Sequence, residues 1–189
     1  RGLQSVREAL ETACREQITV AGQKCAEACE EAQNSSNMLE NAILQEQTAQ
    51  QKVDGAEQAL DSSQSALSSA QSSLSSCLAQ PPDDDGYCPD CSGEYSAVAE
   101  AEAAVEQTQD MLEQAKAALE VATGNRISME QRVDIAKQAQ AIAEHTLEQA
   151  QQECATRLAT VDQAIAIGTA RLNSAQRALD AYLATNPPA

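Results

Sequence analysis

The stretch that decides the fold is residues 39–77, LENAILQEQTAQQKVDGAEQALDSSQSALSSAQSSLSSC. Taking every seventh residue gives Leu39, Glu46, Val53, Leu60, Leu67 and Leu74. Three places further on, the series is Ala42, Ala49, Ala56, Ser63, Ala70 and Cys77. One seam position is mostly large and the other always small. An unbroken 3–4 alternation of this kind is the signature of a coiled coil. Upstream the same phase runs through Cys25, Ala28, Ala32 and Ser35. The serine-rich part, 61–76, has the composition of a linker, but Leu67, Ala70 and Leu74 hold the helical phase.

The second half repeats the pattern. Val98, Val105, Leu112, Leu119, Arg126, Val133, Gln140, Leu147 and Cys154 alternate with Ala101, Thr108, Ala115, Ala122, Met129, Ala136, Ala143 and Ala150. After Cys154 the phase jumps by four residues to Leu158, Val161 and Ile165, a stutter that relaxes supercoiling. Between the halves, Pro81-Pro82 stops the first helix, because proline lacks an amide donor and clashes with the preceding turn.

The expected fold is therefore all-α: one long antiparallel coiled-coil hairpin with a cysteine-containing tip loop. The first helix covers about residues 2–79, the tip loop about 80–94 and the second helix about 95–185, with a linker at 186–189. Ser92 or Ser96 is the expected cap of the second helix. The alternative is a compact four-helix bundle, with breaks near 34–37 and at Gly124-Asn125. Setting Leu74 opposite Ala101 matches large with small at nearly every layer. Leu60 then meets Ala115, Val53 meets Ala122, Ser63 meets Leu112, and Glu46 falls beside Met129, one turn from Arg126.

Composition narrows the function. The 189 residues carry a formal charge of −17, no Trp, no Phe and three Tyr. An acidic surface excludes direct binding to nucleic-acid phosphates and to anionic membranes. No apolar run is long enough to insert in a bilayer. The chain opens at Arg1 without a signal-like segment and reads as a mature chain or an excised fragment.

Seven cysteines point to disulfides in an oxidising compartment, and hence to an extracellular or secreted protein. At the tip, Cys77 paired with Cys88 or Cys91 would staple the turn. Metal ligation by Cys77, Cys88 and Cys91 is the alternative, weakened by the want of a fourth ligand. Asp83-Asp84-Asp85-Gly86 lacks the spacing of a calcium loop and reads as an acidic loop ending the helix. Cys14 and Cys154 are candidates to bridge after modest sliding of the helices. Cys25 and Cys29 lie one turn apart, with His145 expected at nearly their level across the hairpin. Plain thiols or interchain disulfides are the preferred reading of that pair, with a solvated histidine, and a metal cluster of Cys25, Cys29 and His145 is the alternative. Asn34-Ser35-Ser36 is a glycosylation sequon.

No catalytic set and no cofactor motif stand out in the sequence. Met38, Ile43, Leu44, Val121, Ile127, Ile135 and Ile142 lie off the seam and form a candidate self-association patch, for a homodimer or a higher homo-oligomer. The expected function is that of a non-enzymatic structural or spacer coiled coil that self-associates. The alternative is a binding stalk that presents its acidic tip loop to a partner protein.

Overall fold

The computed structural model describes residues 2–82 and 89–185. It contains two long helices, α1 (Gly2–Leu78) and α2 (Ser92–Thr185), packed against each other as a helical hairpin. Among the described residues there is no strand. Two compact units are distinguished: a tip unit, Ser35–Val133, and a terminal unit, Arg1–Asn34 with Asp134–Ala189.

Both helices run without interruption through the suspected break points at 34–37 and Gly124-Asn125. The seam explains why. On either side of Gly124, half-buried Leu119 and buried Ala122 stay in phase with half-buried Arg126 and Met129. A helical break would cost those contacts to relieve about 1 kcal/mol of glycine propensity. A Cβ added at Gly124 would meet nothing within 4 Å. Gly124→Ala is therefore expected to raise stability by about 1 kcal/mol. Urea denaturation checks this, and a loss of stability would mean that the helix needs the glycine.

The serine-rich tract is helical to Leu78. Its hydroxyls turn back onto the carbonyls one turn earlier: Ser65 donates to Asp61, Ser69 to Ser65, Ser72 to Ser68 and Ser76 to Ser72, at 2.9–3.0 Å. These bonds satisfy the hydroxyls without drawing the backbone out of the helix.

α2 begins at Ser92, three residues before the expected start. The carboxylate of Asp90 accepts the Ser92 amide at 3.0 Å, and the Tyr95 amide donates to the Cys91 carbonyl at 3.1 Å. Asp90, not Ser92 or Ser96, thus supplies the side-chain cap, satisfying an amide that the first turn leaves unpaired. That bond to Ser92 holds the Asp90 carboxyl below the usual carboxylate range. The expected linker at 186–189 lies outside the described residues.

The tip unit has a thin core of buried Ala42, Ala49, Val53, Ala56, Ala122 and Val133, with Cys91 at its tip end. Its register differs from the expected one by a heptad. Cys77 would have faced Val98 but is bonded to Cys91. Thr108 and Ser63 meet hydroxyl to hydroxyl at 3.4 Å. The early start of α2 is the physical reason: pairing begins at the Cys77–Cys91 level, so the connection is shorter than assumed.

A polar layer joins the two helices of this unit. The Arg126 Nε donates to Glu46 at 2.6 Å, its Nη1 donates to Glu130 at 2.6 Å, and the Thr123 hydroxyl donates to Glu46 at 2.8 Å. Arg126 and Glu46 are only 26% and 24% exposed, so removing Arg126 would leave the Glu46 charge half-buried and unpaired. Lys116 and Glu57, 3.5 Å apart, are more than half exposed and add little.

In the terminal unit the buried positions are Cys14, Ala21, Ala32, Ala136, Ala150 and Cys154. The phase shift after Cys154 is present, with Leu158, Val161 and Ile165 half-buried. Arg7 joins Asp162 at 2.6 Å and Glu11 at 3.2 Å. At Gly168, Leu3 is the nearest neighbour from the other helix. Beyond that level Leu172, Leu179 and Tyr182 are at least half exposed.

Candidate functional site

Chemistry in this chain is concentrated in its cysteines and in one uncharged flank. At the tip, the Sγ atoms of Cys77 and Cys91 are 2.01 Å apart and their Cα atoms 6.0 Å apart. Of the two expected partners for Cys77, the geometry selects Cys91. Cys88 and the acidic run Asp83–Asp85 lie outside the described residues. The disulfide occupies the thiols of both Cys77 and Cys91.

In the terminal unit, Cys14 and Cys154 are buried free thiols, 4% and 2% exposed, lining one cavity with Ile18 and Leu158. They meet directly, without the sliding that the expected register required. A hydrogen bond with Cys14, and then burial, push the Cys154 thiol up. Cys154 also reaches Gln17 Oε1 at 4.0 Å, a weak contact.

Cys25 and Cys29 share one face of α1, and their partner across the hairpin is Glu144, not His145. One ligand atom from each of Cys25, Cys29 and Glu144 can be chosen so that all three lie within 4.8 Å of one another. Burial pushes the Cys25 thiol up, and neighbouring Cys29 and Glu144 add to the shift. His145 is exposed on the outer face of α2. Glu144 rather than His145 is the partner because of the face each presents: the two are adjacent in sequence and about 100° apart around the helix. The sequence held the necessary signal, since Glu144 flanks the seam whereas His145 points away from it.

The sequon residue Asn34 is exposed on α1, while Ser35 beside it is buried. Of the candidate association residues in the tip unit, Met38, Leu44, Val121 and Ile127 are exposed, from 38% to 65%. Ile43 is half-buried, because it borders the seam residue Ala42. In the terminal unit, Ile135 and Ile142 are 66% and 69% exposed.

A feature missed by reading the seam alone appears beside it in the tip unit. Two adjoining grooves run between the helices, lined by Leu44, Ala49 and Ala56 of α1 and by Met111, Ala118 and Ala122 of α2. Lys52 is the one charged residue in the two linings. On α2 the flanking positions Ala104, Gln107, Met111, Gln114, Ala118, Val121, Asn125 and Ser128 are all uncharged. In a chain of charge −17 this flank stands apart. The signal was present as uncharged residues at two of the outer heptad positions.

Fold and site together define a disulfide-stapled α-helical hairpin of coiled-coil type. No protein-family model, no curated protein and no solved structure matches the chain. Among the described residues, no helix is long and apolar enough to cross a membrane.

Proposed function

We propose that this chain is a non-enzymatic structural coiled coil that self-associates through the uncharged flank of its tip unit, in an extracellular setting. The observation that carries the reading is the segregation of charge. Acidic residues crowd the other faces, while Leu44, Met111 and Val121 stand about half exposed or more on a flank that has Lys52 as the sole charge in its groove. Exposed apolar surface of this kind marks an association site. A second copy supplies a matching surface, since a two-fold interface sets the same patch against itself. Two hairpins joined there make a four-helix arrangement. Covering each Val, Leu or Met side chain contributes about 1.5–3 kcal/mol. Repulsion between two acidic chains opposes this and is screened over about 8 Å at physiological salt. The extracellular setting rests on the cysteine pair at the tip, which persists where thiols are oxidised.

Sedimentation of the full chain is expected to show a dimer, favoured by added salt. Met111→Glu together with Val121→Glu is expected to give a monomer of unchanged helicity, because both residues are exposed rather than part of the buried seam. A parent chain that stays monomeric at high concentration and high salt would refute self-association. A variant that remains dimeric would place the interface elsewhere.

A further inference from the structure

We infer that Cys25, Cys29 and Glu144 form a binding site for a thiophilic divalent cation of the zinc type, clasping α1 to α2 within the terminal unit. The inference is independent of self-association and rests on how seven cysteines are disposed. Cys77 and Cys91 are bonded, and Cys14 faces Cys154 in a buried layer. Cys25 and Cys29 have no such outlet. They sit four residues apart in an unbroken helix, where Cβ atoms are about 5–6 Å apart. A disulfide needs Cβ atoms about 3.5–4.5 Å apart. While α1 stays helical, the two cannot bond to each other, and both are free thiols.

The same spacing suits chelation. Tetrahedral zinc with Zn–S bonds of about 2.3 Å places its two sulfurs roughly 3.8 Å apart. The three ligand atoms here already lie within 4.8 Å of one another, a contraction that side-chain rotation supplies. Glu144 adds a carboxylate from the opposite helix, completing three protein ligands and leaving a fourth position for water. Two thiolates with one carboxylate select zinc-like ions over calcium or magnesium, which take oxygen ligands throughout. On binding, Cys25 and Cys29 each release their proton to solvent and form a metal–sulfur bond. Glu144 coordinates through a side-chain oxygen, and no electron is transferred.

The test uses the full chain, isolated without reductant and handled under argon. Cys14, Cys88 and Cys154 are changed to alanine, leaving Cys25 and Cys29 as the only cysteines besides the tip pair. Cobalt(II) is the probe, and zinc is the competitor. One cobalt per chain is expected, with a thiolate-to-metal charge-transfer band, tetrahedral d–d absorption and displacement by zinc. Cys25→Ser or Cys29→Ser is expected to abolish the band. Glu144→Gln is expected to weaken binding at least tenfold, and His145→Ala to leave it unchanged. Proton release, measured by calorimetry in buffers of different ionisation enthalpy, is expected to fall when either cysteine is replaced. Absence of a thiolate band in the parent, or its survival in both serine variants, overturns the site. Weakening by His145→Ala and not by Glu144→Gln overturns the ligand set. Because Glu144 and His145 are exposed, that pair of variants decides the matter even if a cysteine variant unfolds.

Discussion

Replacing Cys77 and Cys91 together by serine is expected to lower the stability of the hairpin by about 3 kcal/mol, the chain-entropy value for a loop of about 15 residues. The two cysteines are 14 apart in sequence, so the bond closes one short loop and removes that closure entropy from the unfolded chain. The loss is larger than the loop alone suggests if register is also released. The large-against-small alternation repeats every seven residues and fits equally well after a slide of one heptad. One feature of the tip unit opposes that slide, the Cys77–Cys91 bond. Denaturant titration of the double-serine chain measures the first effect. A distance label on each helix reports the second, as a second population with helices displaced by a heptad. A change below about 0.5 kcal/mol, within the range of ordinary surface substitutions, would mean that the helices close the tip unaided.

The second large effect is expected at the seam of the tip unit. Val53→Ala should cost about 2 kcal/mol, because Val53 is 4% exposed and faces small residues that cannot fill the space it leaves. Ala42→Leu should cost about 1–3 kcal/mol by the opposite route. Ala42 is 6% exposed, and a leucine there would push apart axes that small residues allow to sit near the close end of the usual 8–10 Å. Exposed Gln64→Ala should stay within about 0.5 kcal/mol. Urea denaturation of the three variants checks the set. Equal effects at Val53 and Gln64 would mean that the seam is misplaced.

The helices were legible in the sequence because Leu, Val and Ala recur at a period that no strand can satisfy. Their continuity through Gly124-Asn125 was favoured but not decided by the sequence, since the phase does not slip there while Gly-Asn can end a helix. Register was not legible, for a physical reason. Leu60 is equally well served by Thr108 or Ala115, and Val53 by Ala115 or Ala122, so alternation cannot choose between slides of a heptad. The choice fell to the length of the tip connection, and that depended on Asp90 reaching back to the Ser92 amide. A side chain two residues outside a helix thereby set which residues meet far along it. The exchange of His145 for Glu144 beside Cys25 has another cause, since the two are adjacent in sequence and differ in which of them flanks the seam. The uncharged flank was legible in part, through Leu44 and Val121 among the off-seam apolar residues. Seam positions reveal how a hairpin holds together, whereas its outer positions reveal what it can meet.

Alanine dominates the buried positions of both units, and no large side chain among the described residues is fully buried. This bears on the heat capacity of unfolding. That quantity grows with apolar surface newly exposed to water, about 0.45 cal/mol/K for each Å², and is offset by polar exposure. A layer of one large and one small residue releases less apolar surface than a layer of two leucines. The heat-capacity increment of this hairpin should therefore fall below the usual 12–15 cal/mol/K per residue or so. A small increment flattens the curve of stability against temperature. The hairpin then has neither a pronounced temperature of maximum stability nor a steep loss on cooling, and it holds much the same modest stability across a wide thermal range.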